Sequence, residues 1–382
     1  MSGIYIHIPF CVEKCAYCNF FSSTDLSYRE DFVRALCREM DLRQDYLDKQ
    51  PAETLYIGGG TPTMLQPSVI EQIIAHAKKI FGLKTDAEIT LEANPNNLNE
   101  EYIKRLSETF INRLSIGIQS FFDENLKVLG RIHTGKQAQN CLELADKHHF
   151  SNISLDLMYG YPLLTAKQWE ENLDKAKTIN HLSCYCLTLE PDSKLYKQIE
   201  NQIYPLPDEE ETINQYQILK NFAKNNHFIH YETSNFCKSG QFSKHNTAYW
   251  QDKAYIGLGA SAHSFNHLQR QWNKADIQNY ISQINTIHTS EQWKSRGENA
   301  VFEQETLTPV MRVNEYIMTS LRTIFGCDLP YVRSQFGVFY HDELTCKLKK
   351  IDSNYYKIED NKLILSEKGS LFADAIACEL FF

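Results

Sequence analysis

The chain has 382 residues, 42% of them hydrophobic and 23% charged, which is enough for one large globular domain and a smaller one. A net charge of −9 argues against nucleic acid as the main partner, because phosphate binding needs a basic surface. An odd number of cysteines, 11, favours a reducing cytoplasm over a disulfide framework. No basic amino-terminal segment precedes a long apolar run, so neither a signal peptide nor a membrane span is expected.

Three cysteines follow the first predicted strand, residues 4–8. Cys11, Cys15 and Cys18 form a C-x-x-x-C-x-x-C pattern on the loop after it. Three close thiolates repel one another unless a cation lies between them, and they suit an iron–sulfur centre or zinc. Zinc usually has a fourth Cys or His ligand, and the one nearby histidine, His7, lies on the strand. The pattern therefore favours an iron–sulfur cluster with one iron left for a non-protein ligand.

The first two thirds of the chain alternates strands and helices with a repeat of about 30 residues, which predicts parallel strands with right-handed crossovers. Six such units predict an α/β fold, an open or partial (β/α)6 TIM-like barrel. The predicted strands are 4–8, 54–57, 88–91, 113–118, 153–157 and 182–189; the main helices are 26–46, 67–81, 99–110 and one around Trp169.

The pattern changes twice in the last third of the chain. A helix at 208–225 and a strand at 228–233 lead into the sequence H-N-T-A-Y-W at 245–250. Helices after residue 305 are followed by a hairpin at 355–365 and a last helix at 367–381, which predicts a small winged-helix-like α+β domain. The expected divisions are a barrel, 1–235, a connecting segment, 236–304, and this carboxyl-terminal domain, 305–382. The last domain has no excess positive charge, so we expect a lid or a partner-binding unit rather than a DNA-binding one.

Several polar groups follow predicted strands directly, where parallel α/β folds place their reactive sites. The glycine run Gly58–Gly60 follows strand two, and Glu92, Gln119 and Asp156 follow strands three to five. With the cysteine loop, they should surround the opening of the barrel at the carboxyl ends of its strands, which we call the mouth. Taken singly, each has an ordinary explanation: a tight turn, a helix-entry or strand-end acid, or, for Arg131, a surface cation.

The run Y-I-H-I-P-F-C-x-x-x-C-x-Y-C at residues 5–18 resembles the radical S-adenosylmethionine (SAM) superfamily. Within it, the resemblance is to the branch of oxygen-independent coproporphyrinogen III oxidase and the haem chaperone HemW. It implies a partial barrel and a 4Fe–4S cluster held by the three cysteines, with SAM on the fourth iron. The SAM contacts that it implies are Tyr5, Tyr17, Gly59, Gly60, Thr61, Glu92, Gln119, Arg131 and Asp156.

Two departures favour the chaperone branch over the decarboxylating enzyme. Phe20 stands where that enzyme has a further cysteine, and the first strand begins without the enzyme's long extension. The segment His245–Trp250 resembles an H-N-x-x-Y-W motif linked to haem binding in the chaperone branch, which makes His245 the expected haem contact. Without the resemblance, His245 would be an ordinary loop histidine. His7, His133 and His263 are weaker candidates.

The expected function is that of a cytoplasmic haem chaperone that passes haem, an iron porphyrin, to an acceptor protein. We expect a monomer or homodimer without a membrane span, and peripheral contact with membrane haem proteins is compatible with this function. The alternative is a radical SAM enzyme such as oxygen-independent coproporphyrinogen III oxidase. Enzymatic activity is therefore left open by the sequence.

Overall fold

The largest sheet joins the amino-terminal two thirds of the chain to the segment after it. The computed structural model describes residues 2–382, apart from the side chain of Arg296. The strand order is β12-β11-β10-β9-β1-β2-β3-β4-β5-β6-β8-β7, and the run from β9 to β6 is parallel. The strands are β1 Ser2–Ile8, β2 Ala52–Gly59, β3 Leu83–Ala93, β4 Arg113–Gln119, β5 Ile153–Tyr159, β6 His181–Cys186, β7 Ile229–His230, β8 Asn235–Cys237, β9 Ala254–Leu258, β10 His263–Phe265, β11 Gln269–Asn273 and β12 Phe302–Thr306.

Helices connect the parallel strands, as the repeat predicts, and the sheet does not close into a full barrel. Within the described residues, no helix is both long and apolar enough to cross a membrane. The helices are α1 Arg29–Leu42, α2 Pro67–Phe81, α3 Glu100–Leu106, α4 Asp123–Val128, α5 Gly135–Lys147, α6 Ala166–Ala176, α7 Lys194–Glu200, α8 Glu209–Asn225, α9 Lys244–Trp250, α10 Ile277–Thr286 and α11 Ser290–Gln292, with 3-10 turns at Leu26–Tyr28 and Pro62–Met64 and a π turn at Trp293–Gly297.

Alternation along the strands separates an apolar layer from a polar interior. On β1, Ile4, Ile6 and Ile8 are fully buried in the main hydrophobic core. The alternate residues Tyr5 and His7 point into the barrel, since successive side chains of a strand face opposite sides. The barrel interior is therefore where polar chemistry is concentrated.

The carboxyl-terminal part has its own hydrophobic core, which includes Val313, Ile317 and Leu344. Asp360 and Asn361, both with positive φ, form the predicted hairpin turn. The elements are α12 Pro309–Leu321, β13 Cys327–Asp328, α13 Leu329–Gln335, α14 Val338–Leu348, a 3-10 turn at Ser353–Tyr355, β14 Tyr356–Glu359, β15 Lys362–Leu365, α15 Glu367–Ser370 and α16 Ala373–Leu380, with strand order β13-β15-β14. The domain limits at 235 and 305 stay predictions, although β9–β12 extend the barrel sheet.

The fold class is confirmed, and the differences lie in element ends. The helix at 67–81 has the predicted limits, and Asn99 caps α3 as expected, but that helix ends at Leu106. The last predicted helix is broken into α15 and α16. The strand β9, which adds a seventh parallel strand beside β1, was missed because it arrives from a distant part of the chain.

Candidate cluster and cofactor site

The cysteine loop is fixed at its base and at its middle. The backbone N–H of Cys11 donates to the carbonyl of Ser23 at 3.0 Å. Further along the loop, the N–H of Ala16 donates to Leu129 O at 2.9 Å, and Leu195 N–H donates to Ala16 O at 2.7 Å. These bonds hold the loop against two later segments of the barrel, so the thiols project from a rigid support.

Cys11, Cys15 and Cys18 are free thiols and each is half-buried. In the part of the chain that the structure describes, no three Cys, His, Asp or Glu side chains are arranged to hold a metal ion. The ligand roles of the three cysteines therefore stay predictions.

A hydrogen-bonded chain links two of these thiols through the barrel mouth. The Cys11 sulfur lies 3.5 Å from the hydroxyl of Thr61, which accepts from the Asn94 amide at 3.0 Å. The Arg131 guanidinium donates to Asn94 Oδ1 at 2.7 Å and to the sulfur of Cys15 at 3.4 Å. The guanidinium thus places a positive charge beside one of the predicted cluster ligands. Asn94 was missed by the sequence analysis because an isolated Asn after a strand carries no distinguishing pattern.

Glu92 lies on the same mouth and holds the glycine run in place. Its carboxylate accepts from the Tyr56 hydroxyl at 2.7 Å and from the Gly59 N–H at 3.0 Å. The pKa of Glu92 is raised to about 7, chiefly by burial and also by the charge of Asp156, while the hydrogen bonds from Tyr56 and Gly59 oppose the shift. A carboxyl that titrates near neutrality at the end of a strand is typical of a functional site.

Asp156 is the second recessed acid of the mouth. Its carboxylate accepts from the Ser115 hydroxyl at 3.2 Å. Burial raises its pKa to about 6, although hydrogen bonds from Ser115 and Ser183 and the charge of Arg113 oppose the shift. The two acids thus share one poorly solvated region, where a bound cation would stabilise both charges.

Gln119 has the most strained backbone of the predicted site residues. Its φ is +65°, and the pairing of β4 with β5 shifts register between Gly117 and Gln119. A positive φ is costly for a residue with a side chain, and such strain concentrates at binding sites. The side chain is buried, yet its Oε1 atom has no hydrogen-bond partner. A buried free acceptor fits a ligand that carries N–H or O–H groups.

Glycines allow the second strand to approach the cysteine loop closely. A Cβ on Gly60 would lie 3.0 Å from the Cys11 sulfur and 2.9 Å from the Phe10 carbonyl. Gly59 has a φ of +109°, and a Cβ there would lie 2.6 Å from the His7 ring. The glycine run is therefore required by both conformation and space.

Two tyrosines complete the predicted set at the mouth. The Tyr5 hydroxyl lies 3.0 Å from Nδ1 of His7, and its ring stacks on Tyr56. Burial raises the pKa of Tyr17, which the charge of Arg131 opposes. His7 also bonds the Phe21 carbonyl through Nε2 at 2.9 Å, so its contacts are structural.

His245 lies apart from the mouth, on α9. Its Nδ1 is 2.7 Å from the Thr54 hydroxyl, and its Nε2 is 2.9 Å from the Tyr249 hydroxyl. The residue is 2% exposed, and burial lowers its pKa to about 3. Both ring nitrogens are thus occupied, and the ring stacks on Tyr56 at 5.0 Å.

A cavity of about 880 Å³ opens beside α9, between the barrel and the carboxyl-terminal domain. Tyr185 lines it from β6, two residues after Ser183, which pairs with Asp156 of β5. Tyr249, also on the cavity wall, is linked through His245 and Tyr56 to Glu92. The cavity therefore lies next to the mouth. We call it the cleft, and it is lined by Tyr185, Glu232, Thr233, Ser234, Asn235, Asn246, Tyr249, Trp250, Thr319, Arg322, Ser370, Leu371, Phe372, Ala373, Asp374 and Ala375.

The fold is that of a radical SAM protein. Residues 5–176 match the family model of the radical SAM superfamily. Among solved structures, coproporphyrinogen III oxidase (HemN) from Escherichia coli has the same fold, with a TM-score of 0.83 over 100% of this chain and 90% of that chain at 20% identity.

Similar proteins place the chain in one family within this superfamily. The haem chaperone HemW of Bacillus subtilis (strain 168) is 36% identical over 288 residues, 74% of this chain and 76% of the relative. HemW of Escherichia coli (strain K12) is 34% identical over 265 residues, 68% and 69% of the two chains. The mouse radical S-adenosyl methionine domain-containing protein 1, mitochondrial, is 34% identical over 69% of this chain and 60% of its own length. The chain belongs to the radical SAM superfamily and, within it, to the family of the haem chaperone HemW, which confirms the resemblance drawn from the cysteine stretch.

This membership implies a 4Fe–4S cluster and SAM. The mouth suits both groups chemically. The Cys15 thiol contacts the Arg131 cation, and Glu92 and Asp156 can accept from hydroxyl and amino groups. The free Gln119 oxygen offers another acceptor.

Proposed function

We propose that the chain is a haem chaperone that holds a 4Fe–4S cluster and SAM at the mouth, binds haem in the cleft and transfers it to an acceptor protein. The observation that carries this proposal is the cleft, because it adjoins the mouth and contains Tyr249 and Trp250 of the H-N-x-x-Y-W motif. Its volume is in the range of sites that enclose cofactor-sized ligands. A cytoplasmic location and a monomeric or homodimeric state are part of the same proposal.

At the mouth, each proposed contact has a distinct chemical task. Cys11, Cys15 and Cys18 would hold the cluster, which supplies an electron for SAM cleavage when it is reduced. The Glu92 and Asp156 carboxylates would accept from the SAM amino group and ribose hydroxyls, and Gln119 Oε1 would accept a further hydrogen bond.

The remaining proposed SAM contacts come from the glycine run, the tyrosines and an arginine. Gly59 and Gly60 have no side chain that would keep the SAM amino acid group from the backbone, and Thr61 follows them. The rings of Tyr5 and Tyr17 would border SAM. Arg131 is proposed to attract its carboxylate while it holds Cys15 and Asn94.

In the cleft, flat rings and a cation suit an iron porphyrin with carboxylate side chains. The Tyr249 and Trp250 rings on the cleft wall are candidates for stacking. Arg322 pairs with Asp374 at 2.7 Å, so a haem carboxylate would have to replace Asp374 as its partner. Direct contact of His245 with the iron stays a prediction. It requires that a ring nitrogen give up its bond to Tyr249 or to Thr54.

The family and one departure from the decarboxylating enzyme support the chaperone over that enzyme. The bacterial relatives cited above are haem chaperones by name. Phe20, at the position of the enzyme's further cysteine, has an exposed side chain beside the cysteine loop. An apolar side chain there cannot act as the proton donor or thiol that a cysteine provides.

A haem titration of anaerobically reconstituted protein tests this proposal. We expect about one haem per chain, at least ten-fold weaker binding in Trp250→Leu, and unchanged binding in Trp272→Leu, a tryptophan outside the cleft. His245→Ala tests the predicted histidine contact. Conversion of coproporphyrinogen at a useful rate, or no haem binding by the wild type, would contradict the proposal.

A further inference from the structure

A continuous column of four side chains joins the cleft to the mouth. The Tyr249 hydroxyl, on the cleft wall, is 2.9 Å from Nε2 of His245. The His245 ring stacks on Tyr56 with centroids 5.0 Å apart and an interplanar angle of 22°. The Tyr56 hydroxyl donates to Glu92 at 2.7 Å. Each member contacts the next, and the two ends lie in different candidate sites.

The middle of the column is fixed, whereas its ends are accessible. His245 is 2% exposed, and its Nδ1 bonds the Thr54 hydroxyl. Tyr249 is 37% exposed on the cleft side, and Glu92 is half-buried at the mouth. Because a close-packed interior does not absorb small displacements, a ligand that moves one end has to shift or break the contacts between them.

We propose that Tyr56 and His245 are positioning residues through which SAM bound at Glu92 tightens the binding of haem in the cleft. The inference rests on the proposed function. It assigns the histidine of the H-N-x-x-Y-W motif a role in communication between two sites, in addition to any contact with haem.

The sign of the effect follows from charge. Glu92 and Asp156 are acids whose charges act on Tyr185 on the cleft wall, and Glu92 also acts on Tyr249. A negative field opposes the binding of a porphyrin with carboxylate groups. The sulfonium and amino cations of SAM at these acids would offset that field, so SAM should raise haem affinity.

The test measures haem affinity with and without SAM on the full chain with an oxidised cluster and no reductant, so that SAM is not cleaved. We expect SAM to lower the haem Kd at least about five-fold, and haem to lower the SAM Kd by the same factor, because coupling between two binding sites is reciprocal.

Tyr56→Phe removes the hydroxyl that bonds Glu92 and keeps the ring that stacks on His245. Its coupling factor should fall at least about two-fold below the wild-type value, because the share carried by the column is lost while the direct charge effect of SAM remains. Tyr102→Phe is the matched control, since it loses a 2.7 Å bond from a partly buried tyrosine to the Leu65 carbonyl, outside both sites. It should keep the wild-type factor. Tyr249→Phe breaks the other end of the column at a half-exposed position and should also lower the factor, even if Tyr56→Phe fails to fold.

The outcomes separate this inference from the proposed function. Haem binding by the wild type without any effect of SAM overturns the inference and leaves the proposed function intact. Full coupling in both Tyr56→Phe and Tyr249→Phe also overturns it. Failure of the wild type to bind haem at all contradicts the proposed function and the inference together.

Discussion

Glu88 and Glu92 lie on the same face of β3, four residues apart, and they differ in burial and in the groups that donate hydrogen bonds to them. Glu88 is buried, and it accepts from the backbone N–H groups of Lys244 at 3.0 Å and His245 at 2.9 Å. Glu92 accepts from one hydroxyl and one N–H, is half-buried, and has a pKa raised to about 7. The first acid therefore anchors α9 in the barrel, and the second retains capacity for a ligand.

The same contrast holds for the two ends of the barrel interior. Near the amino ends of the strands, His245 has both ring nitrogens bonded. Near the carboxyl ends, Gln119 keeps a buried acceptor without a partner and a strained backbone. Satisfied polar groups stabilise a fold, whereas unsatisfied and strained ones mark the place where a ligand completes the structure.

The largest expected effect is the loss of stability when Glu88 is replaced. Glu88→Ala should lower the free energy of unfolding by about 2–4 kcal/mol, because it leaves the buried N–H of His245 and the partly buried N–H of Lys244 without an acceptor. Chemical denaturation measures this loss. Asp86→Ala, which removes an exposed acid from the same strand, should change stability by less than about 0.5 kcal/mol. Equal effects for the two variants would show that Glu88 does not anchor α9.

The next largest loss of stability is expected when Gly59, whose N–H donates to Glu92, is replaced. Gly59→Ala should cost about 2–3 kcal/mol, since the new methyl group meets the His7 ring and the backbone has a φ of +109°. Gly240→Ala is a matched control, because Gly240 also has positive φ but has no atom within 4 Å of the added Cβ. It should cost only about 1 kcal/mol. A Gly59→Ala protein as stable as Gly240→Ala would mean that the close approach is not required.

The pH dependence of SAM binding should report the titration of Glu92. Glu92, with a pKa of about 7, has to lose its proton to attract a cationic ligand. SAM affinity should therefore rise about ten-fold from about pH 6 to about pH 8 and then level off. Equilibrium binding to the reconstituted protein measures it. Glu92→Gln should show only the smaller rise that Asp156 gives at lower pH; an unchanged profile in that variant would exclude Glu92 as the titrating group.

The smallest effect is a gain in stability. Burial raises the pKa of Glu92 from 4.5 to about 7, so the fold favours its protonated form and loses stability as pH rises through this interval. At about pH 8, Glu92→Gln should stabilise the protein without ligands by about 1 kcal/mol, after the lost Gly59 hydrogen bond is allowed for. The gain should vanish near pH 5. A loss of stability at pH 8 would mean that Glu92, like Glu88, serves the fold.

Most of the mouth could be predicted from the sequence because it follows from local pattern. Alternation of apolar and polar residues locates the strands, and parallel strands place their carboxyl ends at one edge, which brings Glu92 and Asp156 together. Asn94 and Ser115 could not be predicted, since their role depends on partners such as Arg131 and Asp156 from other strands.

The surroundings of His245 also lie beyond a sequence pattern. The motif gave its identity, but Thr54 and Tyr56, which hold it, are almost 200 residues earlier in the chain. The strand β9 was missed for the same reason, because it pairs with β1 across about 250 residues. Contacts between such distant segments depend on the complete fold.

The cluster itself is tested most directly by metal and sulfide analysis of anaerobically reconstituted protein, together with the electron paramagnetic resonance spectrum of the reduced form. We predict about four iron and four sulfide per chain, a spectrum that changes when SAM is added, and loss of both in Cys11→Ser, Cys15→Ser and Cys18→Ser. Cys346→Ser, at an exposed cysteine outside the loop, should keep both. Zinc without iron or sulfide in the wild type, or a full iron content in the three loop variants, would contradict a SAM-binding cluster held by these cysteines.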